Sequence, residues 1–234
     1  MTAEPNGEPL LELVRVMDRL RSPGGCPWDA KQTHRSLVEY LVEECYETVE
    51  AIELDDQAAL REELGDVLLQ VVFHSRIAQE SVTEPFSIDD VAAGLVTKLV
   101  ERHPHVFGDE SATTAEHVEA RWQQMKAAQK GRTSVTDGIP NALPALVLAQ
   151  KLLRRAANGA VTVDVASPEA RVAAAWALDS LSGESQGGES HGDEALGDLL
   201  LAIVDLATQR NLDPEASLRA AIRAHRTRIL DWES

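Results

Sequence analysis

Hydrophobic side chains recur at intervals of three and four along most of the 234-residue chain, and runs of period two are nearly absent. That spacing lines apolar groups along one side of a helix rather than one face of a strand, so it predicts an all-α protein. Leu37, Leu41, Cys45, Val49 and Ile52 form one stripe, flanked by Glu39, Glu43, Glu47 and Glu50. Together they predict an amphipathic helix of about 18 residues. A second helix is predicted from Gln57 to Glu80, with Leu60, Leu64, Val67, Leu68, Val71 and Val72 on its apolar face. Asp55 and Asp56 form the short break between the two. They supply a capping side chain and make the helices antiparallel neighbours.

The same period predicts helices from Leu10 to Arg21, from Ser87 or Asp89 to Arg102, and from Thr114 to Lys130. The breaker cluster SPGGCP at 22–27 ends the first of these, and Pro104 stops the second. This gives a helical block over 1–132. After a loop with Gly138 and Pro140, a second block over 133–234 has helices at Ala145–Asn158, Glu194–Gln209 and Pro214–Trp232. Within it the segment SGESQGGESHGDE at 182–194 reads as a mobile acidic loop rich in Gly and Ser.

Charge narrows the function classes. Acidic side chains number 39 against 22 basic ones, a formal net charge of −17. A protein that binds nucleic-acid polymers neutralises phosphates with Lys and Arg, so such partners are disfavoured, as are anionic membrane surfaces. The start MTAEPNGEPLLELV has neither a basic nor an apolar leader region. No apolar stretch reaches the roughly 18 residues needed to cross a bilayer, and a cytoplasmic location is expected. Cys26 and Cys45 have no CxxC or Cys/His spacing and read as reduced thiols.

The acids are not spread evenly. Residues 36–66 hold 11 of the 39 acidic groups and a single base, Arg61. Glu44 and Glu47 fall one turn apart on one side of their helix, and Glu63 and Asp66 repeat that spacing on the antiparallel partner. Carboxylate pairs facing each other repel unless a cation or a proton intervenes. An all-oxygen cage suits Mg²⁺ or Mn²⁺. Gly65, in mid-helix between Glu63 and Asp66, costs ~1 kcal/mol relative to Ala, which suggests close approach of a neighbouring helix or a ligand. A di-iron centre of the ferritin type would need Glu-x-x-His pairs, and no histidine here has a Glu three residues before it.

Glu-Glu-x-x-Glu at 43–47 followed by Glu-Leu-Gly-Asp at 63–66 resembles the signature of the MazG family of nucleoside triphosphate pyrophosphohydrolases, within the all-α NTP pyrophosphatase superfamily. GGCPWDAKQTHRSL at 24–37, KLVERHPHVFGD at 98–109 and VEARWQQMKAAQK at 118–130 extend the resemblance over most of residues 10–132, and LVLAQKLLRRAA at 146–157 is similar to the start of the family's C-terminal domain. The resemblance implies two MazG-like helical domains, a homodimer, and Mg²⁺-dependent cleavage of a nucleoside triphosphate to the monophosphate and pyrophosphate. Mn²⁺ is expected to substitute. Carried over by position, Glu44, Glu47, Glu63 and Asp66 are the metal ligands, and Glu43 orients or deprotonates the attacking water. A narrow-specificity pyrophosphohydrolase, acting on a deoxynucleotide or phosphoribosyl-ATP, and a nucleotide-sensing module without turnover are the alternatives.

Lys98 and Arg102, one turn apart, are candidate grips for the distal phosphates, with Lys126 a further cation, against the alternative of ordinary surface charge. Trp28 and Trp122 are candidate base-stacking platforms or core residues. His103 and His105 read as helix-end hydrogen bonders or phosphate contacts. The second block departs from the family pattern: in GDEALGDLLLAIVDLA at 192–207, Ala195 stands where the motif's Glu belongs, although Gly197 and Asp198 remain. ARVAAAWALDSL at 170–181 has no Glu-Glu-x-x-Glu, and Ala224 and His225 replace a Lys-Phe pair. A single catalytic site in the first block is expected, with the second kept for packing and dimerisation.

Overall fold

The computed structural model describes residues 7–108, 133–161 and 189–233, with the isolated positions 114, 118, 121, 122 and 125. Among them no strand occurs, and the helices are α1 (Glu8–Arg21), α2 (Val38–Glu53), α3 (Gln57–Ala78), α4 (Ile88–Arg102), α5 (Pro104–Phe107), α6 (Ala145–Asn158), α7 (Glu189–Gln209) and α8 (Pro214–Glu233), with a 3₁₀ turn at Asp29–Lys31. The helix expected over 114–130 lies mostly outside the described residues, and that over 170–181 entirely so. Two compact units divide the chain, Met1–Glu119 and Ala120–Ser234. The boundary expected at 132 also lies outside the described residues.

In the first unit the turn chemistry follows the sequence. The Asp56 carboxylate accepts from the amides of Ala58 and Ala59, both at 3.0 Å, capping α3, while Asp55 takes the left-handed conformation that closes the hairpin (φ 55°). Ser87 and Asp90 form a reciprocal capping box that starts α4. After α1 the chain folds back over its own end, with the Cys26 amide donating to the Leu20 carbonyl at 2.8 Å. Gly25 is required there, since a Cβ would collide with the carbonyl oxygens of Arg19 and Leu20.

Met17, Leu37, Val72 and Phe73 form the buried core, with Leu13, Val14, Leu20, Tyr40, Leu68, Leu69, Ile77 and Ile88 packed around it. The stripe expected to pack on α2 is rotated from the observed one. Leu37 is buried, but Cys45 and Ile52 are exposed, and the side turned toward the interior runs through Tyr40, Leu41, Glu44, Thr48 and Ala51. On α3, Leu64 and Val71 are likewise exposed, while Glu63, Asp66, Gln70 and Phe73 line the inner side. The hairpin carries apolar residues on more than one side, and its carboxylates take part of the face between the helices.

In the second unit Val204 and Ala202 are buried, and the Gln150 amide donates to the Leu212 carbonyl at 2.8 Å, joining α6 to the turn between α7 and α8. α7 begins at Glu189, five residues before the expected start, so the end of the segment read as a loop is helical. Residues 182–188 lie outside the described residues.

One contact ties the segment before α2 to α3. The rings of His34 and His74 stack with centroids 5.1 Å apart and 5° between planes, and their Nδ1 atoms are 2.7 Å apart. Two ring nitrogens at that distance share a single proton, so a second proton is excluded. Burial, and then the neighbouring His34, hold His74 below the ordinary imidazole value of 6.5. A depressed imidazole pKa means the unfolded chain takes up its proton first as pH falls, so stability is full above 6.5 and declines below it. Denaturant midpoints should therefore fall as pH drops below 6.5, with the decline flattened in His74→Gln. An unchanged pH profile in that variant would show that the pair carries no linkage.

Candidate metal centre

Glu44 and Glu63 approach from opposite helices of the α2–α3 hairpin because both lie on its inner side. With Asp66 they form a half-buried group in which one carboxylate oxygen from each residue lies within 4.8 Å of the other two. Glu47, exposed one turn along α2 from Glu44, lies outside that group, though its charge acts on both Glu44 and Glu63. Desolvation, then the charges of Asp66 and Glu47, push the Glu44 carboxyl above its ordinary range. Glu63 is pushed up by desolvation, then by Glu47 and Asp66. The site therefore disfavours its own ionised state, as gathered carboxylates do without a counter-charge.

The structure separates the other expected site residues. Glu43 is exposed and lines a shallow groove with Arg35, Ser36, Val38, Glu39 and Val42, outside the gathered carboxylates. Lys98 is exposed on α4, and Arg102 lies half-buried in its last turn. Trp28 is 49% exposed, with its ring edge-on to Tyr40 at 6.0 Å. Trp122 is half-buried and belongs to the second unit, while Lys126 lies outside the described residues. His103 acts as the helix-end hydrogen bonder expected, its Nδ1 2.6 Å from the Leu99 carbonyl oxygen. In the second unit Asp198 is exposed, and among the described residues it joins no metal-competent cluster.

Sequence reasoning missed Arg21, a buried cation whose only signal was its place just before a chain breaker, and Tyr40, which shares the side of α2 that carries Glu44. The close approach expected at Gly65 is not made by a neighbouring helix of the described chain: a Cβ there would meet nothing within 4 Å.

An all-helical scaffold that gathers carboxylates from two antiparallel helices has the architecture in which bundles build sites from side chains on facing helices. Comparison with known proteins makes this particular. A family model for the MazG nucleotide pyrophosphohydrolase domain matches residues 32–107. The nucleoside triphosphate pyrophosphohydrolase/pyrophosphatase MazG of Thermotoga maritima is 42% identical over 219 residues, spanning 91% of this chain and 80% of its own length. An uncharacterized 26.1 kDa protein from Streptomyces cacaoi is 50% identical over 224 residues, 95% of this chain and 82% of its own. The nucleoside triphosphate pyrophosphohydrolase of Escherichia coli K12 is 48% identical over 150 residues, 62% of this chain and 56% of its own. The chain belongs to the MazG family.

Open space at Gly65 has a measurable consequence. Gly65→Ala should stabilise the isolated protein by about 0.5–1 kcal/mol in denaturant titrations, since it removes backbone entropy without a clash. A lower stability in Gly65→Ala would mean that a second chain packs on that point.

Proposed function

We propose that the protein hydrolyses nucleoside triphosphates to the monophosphate and pyrophosphate with Mg²⁺, at a site in the first unit, and that Mn²⁺ can replace Mg²⁺. The observation that carries this reading is the convergence of Glu44, Glu63 and Asp66, with Glu47 beside them, in a chain of the MazG family. The donor set fits the ion: oxygen ligands only, and mutual repulsion that a hard cation relieves. Glu44, Glu47, Glu63 and Asp66 would hold it. When bound, Mg²⁺ supplies charge neutralisation at the phosphates.

The chain's own residues then account for binding and order. Without the cation the site is anionic and repels a triphosphate; with it, the same carboxylates become an anchor for that triphosphate. Lys98 and Arg102 are proposed to take the distal phosphates and Trp28 to contact the base. The further assignments to Trp122 and Lys126, and that of Glu43 to the attacking water, rest on the family pattern rather than on placement. Asp198 alone offers no second metal site, so one centre per chain is proposed. A cytoplasmic setting, where triphosphates are made and used, belongs to this reading.

Incubating the protein with each common triphosphate and Mg²⁺ should release pyrophosphate rather than phosphate. Glu44→Ala combined with Glu63→Ala should lower the rate by about 100-fold or more, while the fold persists by circular dichroism because repelling charges have been removed. Turnover that survives in the double variant would move the site elsewhere.

A homodimer is proposed on separate grounds. α4 buries none of its side chains, and Val91, Leu95, Val96, Leu99 and Val100 are all exposed, as are Val38, Val42 and Tyr46 of α2. Only the start of α4 packs on the core, through Ile88, so the rest of its apolar face is available to a covering partner. The family resemblance supplies a second copy of the chain as that partner. Light scattering should give twice the chain mass, and Leu95→Asp with Leu99→Asp should reduce it to the monomer. A wild-type monomer at micromolar concentration would refute the dimer.

A further inference from the structure

The segment between α1 and α2 is held by one buried cation. The Arg21 side chain is 4% exposed and spends its donors on three partners at once. Nε and Nη2 form a two-pronged pair with the Glu80 carboxylate at 3.1 and 2.7 Å. Nη1 donates to the carbonyls of Asp29 and, at 3.1 Å, Gln32, which bracket the 3₁₀ turn Asp29–Lys31. The guanidinium carbon lies 5.6 Å from the centre of the Phe73 ring. The Gln32 side-chain amide then donates to the Trp28 carbonyl at 3.1 Å, so the turn is fixed at both ends.

Trp28 immediately precedes that turn, and its ring meets Tyr40 edge-on. Tyr40 lies four residues before Glu44, on the same side of α2 and one turn along it. A line of contacts thus runs from Arg21 through the turn to Trp28 and Tyr40, which shares its side of α2 with Glu44. The guanidinium does more than close α1: a C-terminal cation needs only the last carbonyls of its own helix, whereas this one takes carbonyls eight and eleven residues ahead of it.

We propose that Arg21 is a positioning residue for the nucleotide: it fixes the turn at 29–31 so that the half-exposed Trp28 ring stands as a wall beside the metal carboxylates, where it contacts the base of the substrate. The inference rests on the reading of the site as a nucleoside triphosphate hydrolase. It assigns Arg21 an effect on nucleotide binding and none on the cation, because its contacts reach Trp28 and not the carboxylates. Lysine keeps the charge but lacks the fork that serves the carboxylate and the two carbonyls together.

Steady-state kinetics on the triphosphate that wild-type protein turns over fastest provide the test. Arg21→Lys should raise KM about tenfold, the scale of a lost base-aromatic contact, with kcat and the Mg²⁺ midpoint within about twofold of wild type. Trp28→Ala should give the same pattern, and the double variant should be no worse than Trp28→Ala alone. A wild-type KM in folded Arg21→Lys overturns the proposal, as does a double variant whose KM rise is the product of the single ones. Should Arg21→Lys fail to fold, Glu80→Gln keeps an acceptor for the guanidinium while removing its charge, and must raise KM in the same direction; an unchanged KM there overturns the proposal too. Wild-type protein that releases no pyrophosphate refutes the hydrolase reading instead. The positioning role is then decided by calorimetry with an α,β-methylene triphosphate and Mg²⁺, where Arg21→Lys must weaken the Kd by a similar factor and a wild-type Kd overturns it.

Discussion

The repulsion among carboxylates on the inner side of the α2–α3 hairpin is the constraint to which the rest of the first unit answers. A helical hairpin ordinarily closes along its length by apolar contact. Here Leu37 and Phe73 close one end, while Glu44, Glu63 and Asp66 occupy the face further along. That end stays partly solvated because buried charge without a partner is far more costly than exposed charge. Burial and mutual repulsion, which raise the carboxyls of Glu44 and Glu63 above their ordinary range, express the same strain.

A second consequence is the crowding of polar ties at the opposite end. Arg76 donates to Asp18 at 2.8 Å and to Glu80 at 2.9 Å, and Arg21 takes the other side of Glu80. These ties hold α1 and the end of α3 together without drawing on the hairpin's open half. Glu80 sits between two guanidinium groups, and Arg21 before all else holds its carboxyl below the usual range. Cations and anions are therefore matched at one end of α3, while acids gather without a basic partner further along it.

Much of this was legible because helix punctuation is local. Asp56 and Ser87 cap their helices where the sequence places them, and the Glu and Asp spacings bring three of the four expected ligands within reach of one another. Facing direction was harder to read. Leu64 and Val71 belong to an apolar stripe as continuous as the buried one, and periodicity alone does not say which of two stripes a helix buries. Gly65 looked like a point of close approach because the penalty of a mid-helix glycine demands a reason, yet the described chain offers none. Arg21 was invisible for a different reason: its partners at 29, 32 and 80 are brought to it only by the folded chain.

The outward stripes and the site are linked through α4. Val91, Leu95, Lys98 and Arg102 follow one another at spacings of four, three and four, so they lie along a single side of that helix. Its first half on that side is apolar and its second half cationic. Covering the apolar half by a second chain would add to the packing that Ile88 gives the start of the helix, and would restrain Lys98 further. A Lys held in place loses less entropy on meeting a phosphate than one free to move. Dimerisation and phosphate binding would then be coupled in both directions: the partner chain would order Lys98, and a bound triphosphate would favour the state in which the partner is present.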